Sequence, residues 1–163
     1  MNITYEQTSF TAHALPYAGA TQLLFTTRSD VNIVDVADWR TPLPGNVTSS
    51  WRSIASGLED AVALDYVWSD GIVYWTDITL GRISRCVFNE TSSSSSRQAT
   101  VVIGGLQTPD GIACDWVGRK LYWADSETDR IEVANLNGTL RRVLYWRDVD
   151  QPRAIALDPS HGY

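Results

Sequence analysis

The sequence IVYWTD at residues 72–77 returns as KLYWAD at residues 120–125. A short apolar segment that ends in aspartate precedes each copy, AVALD at 61–65 and GIACD at 111–115. A third segment of this kind, AIALD, occupies residues 154–158. Because the segments recur in the same order, we interpret the chain as copies of one supersecondary unit.

Two further segments complete each unit. The sequence GRISR at 81–85 corresponds to DRIEV at 129–133, and ATVVI at 99–103 corresponds to LRRVL at 140–144. Turn-forming residues separate the segments, and none shows helical periodicity over enough residues to compete with a strand. A serine-rich insertion at 92–96 accounts for the greater length of the first unit. Four short strands in a repeat of about 40–45 residues predict a β-propeller blade.

The flanking sequence holds parts of further blades. Residues 22–27 and 31–36 match the second and third strands of a blade, and 51–54 match a fourth strand. Residues 154–158 match the first strand of a further blade. We therefore predict an all-β fold, a partial β-propeller with about two full four-stranded blades plus flanking strands.

The domain prediction follows from the same pattern. It places a poorly structured N-terminal segment at 1–20 and the partial propeller at 21–163. A propeller normally closes on itself to remove exposed strand edges, so we expect this chain to be a fragment of a longer protein.

The composition narrows the function classes. The net charge of −6 argues against a nucleic-acid backbone as the main partner and favours basic protein ligands. Cys86 and Cys114 lack metal-ligand spacing; we expect two separate, partly buried thiols, with a disulfide between them left open. His13 and His161 fall in the regions with least predicted structure, and no nucleophile, phosphate or catalytic-metal motif occurs. We therefore expect no enzyme activity, no metal and no cofactor.

Several features indicate an extracellular protein. Sequons for N-glycosylation begin at Asn2, Asn46, Asn89 and Asn137, and the last three are the glycosylation candidates because we place them in turns. No run approaches the ~20 apolar residues of a membrane span, and the N-terminus lacks the pattern of a signal peptide. We expect the true N-terminus to be missing.

These motifs resemble a known family. The tetrapeptide YWTD at 74–77 is the signature of YWTD (low-density-lipoprotein-receptor class B) β-propellers, and YWAD at 122–125 is a copy with one substitution. The strings SETDRIEV at 126–133 and DQPRAIALDP at 150–159 are similar to the first propeller of the Wnt co-receptor branch of the LDL-receptor-related proteins. The resemblance covers roughly residues 20–163.

The resemblance implies a six-bladed propeller followed by an EGF-like module, on the extracellular side of a single-pass receptor whose membrane span lies downstream. It implies binding of Wnt-type ligands and of secreted antagonists of the Dickkopf and sclerostin type at the top of the central channel. The rest of the propeller and the EGF-like module would pack against this chain. Two alternatives stay open: an endocytic lipoprotein-type receptor and a matrix protein of the nidogen type.

Ligand-binding residues are expected where turns enter the innermost strand and leave the second strand, because these turns surround a propeller channel. The resemblance points to the same positions. The candidate ligand-binding residues are Arg28, Glu59, Asp60, Ile78, Thr79, Thr108, Asp110, Glu127 and Arg153. Carboxylates beside two arginines can make charge-assisted hydrogen bonds to a peptide. The alternative role of the Asp and Thr residues is to cap turns.

We expect a structural role for the repeat signature. Its aromatic side chains are large enough to fill the space between blades, and its polar side chains need buried hydrogen-bond partners. The signature set comprises Tyr74, Trp75, Thr76, Asp77, Tyr122, Trp123 and Asp125.

Overall fold

The described part of the chain is built of β-strands. The computed structural model describes residues 12–17, 20–36, 51–88 and 99–162. Within these ranges no helix has the length and apolar character needed to cross a membrane. The strands are β1 (Ala12–Tyr17), β2 (Ala20–Thr26), β3 (Asp30–Val36), β4 (Arg52–Ser56), β5 (Ala61–Val67), β6 (Ile72–Asp77), β7 (Arg82–Val87), β8 (Thr100–Ile103), β9 (Pro109–Asp115), β10 (Lys120–Asp125), β11 (Arg130–Asn135) and β12 (Arg142–Tyr145).

The strands form three antiparallel four-stranded sheets, which we name the first, second and third blades. Their orders are β1-β2-β3-β4, β5-β6-β7-β8 and β9-β10-β11-β12, so each strand pairs with the next one in the chain. The second and third blades share their register: Asp77 lies opposite Arg82, and Asp125 lies opposite Arg130. The predicted all-β fold, a partial propeller, is confirmed.

The structure corrects the number of complete blades from two to three. β1 pairs with β2 along its whole length and completes the first blade. It lies within the segment 1–20, for which we expected little structure, and it places His13 in a strand. We did not predict this strand because it contains Pro16. Proline has no backbone N–H to donate within a sheet, so its presence weakens the prediction of a strand. Residues 1–11 lie outside the described ones, so the domain boundary stays a prediction.

Residues 154–158 do not form a strand, although the repeat predicted one. A strand is defined by its pairing, and within the described residues no second strand pairs with this segment. The segment nevertheless approaches β9 closely, because a Cβ atom at Gly111 would lie 2.1 Å from the carbonyl oxygen of Arg153. Glycine is therefore required at this position by the contact of two backbones.

The two aromatic residues of the signature point to opposite faces of the second blade, because side chains alternate along a strand. Trp75 packs toward the first blade, in a cluster with Leu24. Tyr74 packs toward the third blade, in a cluster with Leu121 and Trp123. Tyr74, Trp75 and Trp123 have no exposed surface. Burial of such side chains contributes on the order of 2–3 kcal/mol each, so the signature holds neighbouring blades together.

Polar contacts also cross from the second blade to the third. Asp65, at the end of an inner-strand repeat, accepts the N–H of Cys114 at 2.6 Å, and the Tyr74 hydroxyl donates to the Leu136 carbonyl oxygen at 3.2 Å. Cys86 and Cys114 are buried in different core clusters and form no disulfide with each other. Burial, followed by the neighbouring Asp65 carboxylate, raises the pKa of the Cys114 thiol. The backbone N–H of Cys114 thus takes part in this contact between blades.

One of the three glycosylation candidates lies in the described part of the chain. Asn137 is exposed in the turn between β11 and β12, whereas Asn46 and Asn89 lie outside the described residues. Glycosylation of all three stays a prediction.

Candidate functional site

Two kinds of turn meet at one end of the blades. The turn after β6 begins at Ile78, whose N–H donates at 3.1 Å to the carbonyl oxygen of Asp60, in the loop before β5. In the third blade, the N–H of Ser126 donates to the carbonyl oxygen of Thr108 at 3.0 Å. We name this end of the blades the rim. The rim comprises residues 27–29, 57–60, 78–81, 104–110, 126–129 and 151–153.

The aspartate of each signature copy holds the rim turns together. Asp77 accepts the N–H of Glu59 at 3.1 Å and the N–H of Leu80 at 3.0 Å. Asp125 accepts three backbone N–H groups, at 2.9, 3.2 and 3.2 Å, from the equivalent loop and turn. Neither aspartate is more than 1% exposed. An ionised carboxylate offers several acceptor sites at once, which explains why aspartate occupies this position in both blades.

The one substitution within the tetrapeptide has a structural cause. β5 and β6 lose register after Ala61, and the Thr76 hydroxyl accepts the N–H of Ala63 at 3.1 Å. In the third blade, β9 and β10 keep their register as far as Ala124 opposite Gly111. The regular ladder there needs no side-chain acceptor, so alanine fits where the second blade requires threonine.

The turn after the second strand passes through a left-handed residue in both blades. Gly81 has a φ of +54° and Asp129 a φ of +53°. A Cβ atom at Gly81 would lie 2.3 Å from the carbonyl oxygen of Leu106. The Asp129 side chain instead accepts the N–H of Gln151 at 2.9 Å. The loop that returns to the next inner strand therefore decides which residue fits in the turn.

We expect Gly81→Ala to lower the free energy of unfolding by about 1–3 kcal/mol, because left-handed strain and a backbone clash act together. Gly104→Ala is the matched control, since a Cβ atom there meets nothing within 4 Å. The control is expected to stay within about 0.5 kcal/mol of the parent. Urea denaturation measures both variants, and equal small effects would contradict the close approach at Gly81.

An ion pair with two hydrogen bonds bridges the first and second blades at the rim. Arg28 donates from Nε to Asp60 Oδ1 at 3.0 Å and from its terminal nitrogen to Oδ2 at 3.2 Å. The Arg28 side chain is 74% exposed, whereas that of Asp60 is 16% exposed. Because the guanidinium is exposed, the pair adds little to stability. For the same reason, the guanidinium is accessible for contacts with a ligand.

A second pair of opposite charges lies between the third blade and the segment that follows it. A terminal nitrogen of Arg153 is 3.9 Å from Asp110 Oδ2, which exceeds the length of a hydrogen bond. The Asp110 Oδ2 atom is buried and accepts no hydrogen bond within the described residues. The Arg153 side chain is 71% exposed. The pair therefore offers an unused acceptor beside an accessible cation.

The candidate ligand-binding residues all lie at the rim, and the structure joins several of them. Besides the two charged pairs, the Thr108 hydroxyl donates to Glu127 Oε2 at 3.0 Å. Ile78 is half-buried, whereas Thr79 and Glu59 are exposed. Their role in binding stays a prediction.

A cavity of about 860 Å³ follows the inner strands from the rim to the opposite end of the blades. Asp110 and Arg153 line it at the rim, and Trp68 and Trp116 line it at the other end. Its volume lies in the range of sites that hold a peptide segment or a small ligand. In the part of the chain that the structure describes, no three His, Cys, Asp or Glu side chains are grouped to hold a metal ion.

Comparison with known proteins accounts for the repeat. The family model described as low-density lipoprotein receptor repeat class B matches residues 119–159. The chain is 54% identical over 149 residues to low-density lipoprotein receptor-related protein 5 of Mus musculus, and 54% identical over 146 residues to that of Homo sapiens. These matches cover 91% and 90% of this chain but only 9% and 8% of the relatives. The chain belongs to the low-density lipoprotein receptor class B (YWTD) repeat family.

Solved structures agree with a YWTD propeller. The chain is 33% identical to a chain of a nidogen/laminin complex, with a TM-score of 0.71, and the match covers 86% of this chain and 50% of the other. The chain is also similar to regucalcin from Agrobacterium tumefaciens, with 16% identity and a TM-score of 0.58. This match covers 86% of this chain and 46% of the regucalcin chain. At that identity, the second likeness supports the fold alone.

Some features of this YWTD propeller were missed by reasoning from sequence. The contact of Gln151 with Asp129 fixes the loop beside Arg153, and no sequence pattern marks it. Trp68 and Trp116 line the cavity at the end opposite the rim, and both are more than 40% exposed. Each follows an inner-strand aspartate by one to three residues, a recurrence that could have identified them.

Proposed function

We propose that the chain is part of the ligand-binding propeller of an extracellular receptor of the Wnt co-receptor type. The proposed partners are Wnt-type ligands and secreted antagonists of the Dickkopf and sclerostin type. Similarity to low-density lipoprotein receptor-related protein 5 supports the receptor class. The chain spans less than a tenth of these relatives, so the proposal concerns one module of a single-pass membrane protein. The rest of the propeller and an EGF-like module would be its neighbours.

The arrangement of Asp110 and Arg153 carries the proposal. The buried Asp110 Oδ2 atom accepts no hydrogen bond from the described residues, and the Arg153 guanidinium is exposed 3.9 Å away. A side-chain amide has both a donor and an acceptor, so it can donate to the aspartate and accept from the arginine. The adjoining cavity leaves space for the peptide that carries this amide. The pair therefore suits an asparagine- or glutamine-containing loop of a protein ligand.

Charge supports the same site. Arg28 and Asp60 form a second ion pair at the rim, and Glu59 and Glu127 are exposed elsewhere on the rim. The net charge of −6 favours encounter with basic ligands, and such steering weakens as salt rises. We therefore propose that the charged rim aligns the ligand and that the Asp110–Arg153 pair fixes its peptide.

Charge reversal at the rim tests the proposal. In the complete propeller that contains this chain, Arg153→Glu is expected to weaken binding of a sclerostin- or Dickkopf-type peptide at least about tenfold, because the ligand loses a donor and meets a repelling carboxylate. Arg142→Glu is the matched control, since Arg142 is exposed on the outer strand β12 and should leave the affinity unchanged. Calorimetric titration measures both variants. Equal affinities of Arg153→Glu and parent would contradict the rim site.

Similarity to the nidogen chain favours one further candidate, a matrix protein whose propeller docks a laminin-type module. The same titration separates the two. A folded propeller that binds a laminin-type module and neither antagonist peptide would support the matrix role and exclude the receptor proposal.

A further inference from the structure

We infer that Asp129 positions Arg153 and thereby raises the affinity of the rim for its ligand. Arg153 supplies the exposed cation of the proposed ligand site, so the inference rests on the proposed function. Asp129 ends the turn that follows β10, and sequence reasoning did not place it among the ligand-binding residues. Its effect on the ligand is exerted through Arg153.

A hydrogen bond joins the Asp129 side chain to the loop that leads into Arg153. Asp129 Oδ1 accepts the backbone N–H of Gln151 at 2.9 Å, across a separation of 22 positions in the chain. Both residues have left-handed backbones, with a φ of +53° at Asp129 and +42° at Gln151. Residues other than glycine keep such conformations only where surrounding contacts hold them. The hydrogen bond therefore fixes the loop two positions before Arg153.

A second contact fixes the loop at Arg153 itself. The carbonyl oxygen of Arg153 lies so close to β9 that a Cβ atom at Gly111 would be 2.1 Å from it. Gly111 directly follows Asp110, the carboxylate that faces the Arg153 guanidinium. Pro152 precedes Arg153, and its ring restricts its own φ. The backbone of Arg153 is therefore held beside Asp110 before a ligand binds.

The second blade makes the corresponding connection without a side chain. Gly81 and Asp129 occupy the same position of the turn, directly before the third strands β7 and β11. The backbone carbonyl oxygen of Gly81 accepts the N–H of Leu106 at 2.9 Å. Of these two turns, only that of the third blade uses a side-chain acceptor, and its returning loop is the one that carries Arg153.

Holding this loop in place before binding favours the complex. The Arg153 side chain is 71% exposed and loses freedom when it contacts a ligand. If its backbone were free as well, binding would also have to order at least one residue of the loop. Ordering the backbone of one residue costs about as much as a tenfold change in affinity. We therefore expect loss of the Asp129 contact to weaken binding about tenfold.

Titration of the complete propeller with a sclerostin- or Dickkopf-type peptide tests the inference. Asp129→Gly permits the left-handed backbone but removes the acceptor, so we expect about tenfold weaker binding. Asp129→Asn removes the same charge but keeps an oxygen acceptor and tolerates a left-handed φ, so it should bind within about twofold of the parent. Leu140→Gly is the matched control, because Leu140 has a φ of +57° in the turn before β12, at the other end of the blade. It should leave the affinity unchanged.

A double variant shows whether Asp129 acts through Arg153. In an Arg153→Ala background, Asp129→Gly is expected to change the affinity by less than about twofold, because no cation remains to be positioned. A further tenfold loss in that background would show that Asp129 acts independently of Arg153, which would overturn the inference.

Hydrogen exchange of residues 149–153 in the ligand-free propeller reports on the loop itself. We expect faster exchange in Asp129→Gly than in the parent or in Asp129→Asn, and equal exchange in all three would overturn the inference. If the parent binds its peptide and Asp129→Gly binds it equally well, the inference fails and the proposed function stands. A folded parent that binds neither peptide would overturn the proposed function, and the inference with it.

Discussion

Replacing Arg141 with alanine is expected to lower the free energy of unfolding by about 3–5 kcal/mol, because the Glu132 carboxylate is left buried without its partner. Arg141 donates to Glu132 Oε2 at 2.8 Å and to Oε1 at 2.9 Å. The Glu132 side chain is only 3% exposed. The guanidinium also lies 5.5 Å above the ring of Trp123, between the second and third blades. Urea denaturation followed by tryptophan fluorescence measures the loss.

Two controls show whether the buried charge is the cause. The double variant Glu132→Leu with Arg141→Leu is expected to recover most of the stability, because an apolar pair of similar size needs no partner. Arg142→Ala, at the exposed neighbouring position, is expected to change stability by less than about 0.5 kcal/mol. A loss below about 1 kcal/mol in Arg141→Ala would show that Glu132 does not depend on this arginine.

Trp123→Ala is the second substitution with a large expected effect, a loss of about 3–5 kcal/mol. Trp123 has no exposed surface and packs with Leu121 and Ile103 between the second and third blades. Its removal would leave a cavity that two sheets cannot close without moving apart. Chemical denaturation of the purified variant is again the measurement.

Trp116→Ala is the matched control for Trp123→Ala. Trp116 occupies the third blade as well, but it is 49% exposed, so its loss should cost less than about 1 kcal/mol. Trp123→Phe should cost less than Trp123→Ala, since it retains a ring and removes an indole N–H that makes no hydrogen bond within the described residues. Similar losses at Trp116 and Trp123 would contradict the packing of the signature between blades.

The blade could be predicted from the sequence because each unit repeats the same structural requirements. An aspartate that accepts several backbone N–H groups must follow Trp75 and Trp123 alike, and the repeat records this. β1 was missed because it contains Pro16 and lacks the apolar segment ending in aspartate. Because β1 departs from the repeat, the sequence did not predict it as a strand.

The positions of the rim residues could be predicted, but their pairing could not. Arg28 and Asp60 lie 32 residues apart, and their contact depends on how the first blade packs on the second. The choice of Gly81 in one turn and Asp129 in the other likewise depends on a returning loop. Glu132 has buried Ser84 at its position in the second blade, so its ion pair belongs to one blade only. Interactions that occur in only one blade produce no repeated sequence pattern, so they could not be predicted from the repeat.

Hydrogen exchange of the complete propeller, with and without a sclerostin- or Dickkopf-type peptide, shows whether the ligand binds at the rim. We expect slower exchange on binding at rim residues 57–60, 78–81, 104–110 and 126–129. Exchange at the opposite end, at 116–119 and 136–139, should not change. Protection confined to the opposite end, or to the outer strands β4, β8 and β12, would contradict a ligand site at the rim.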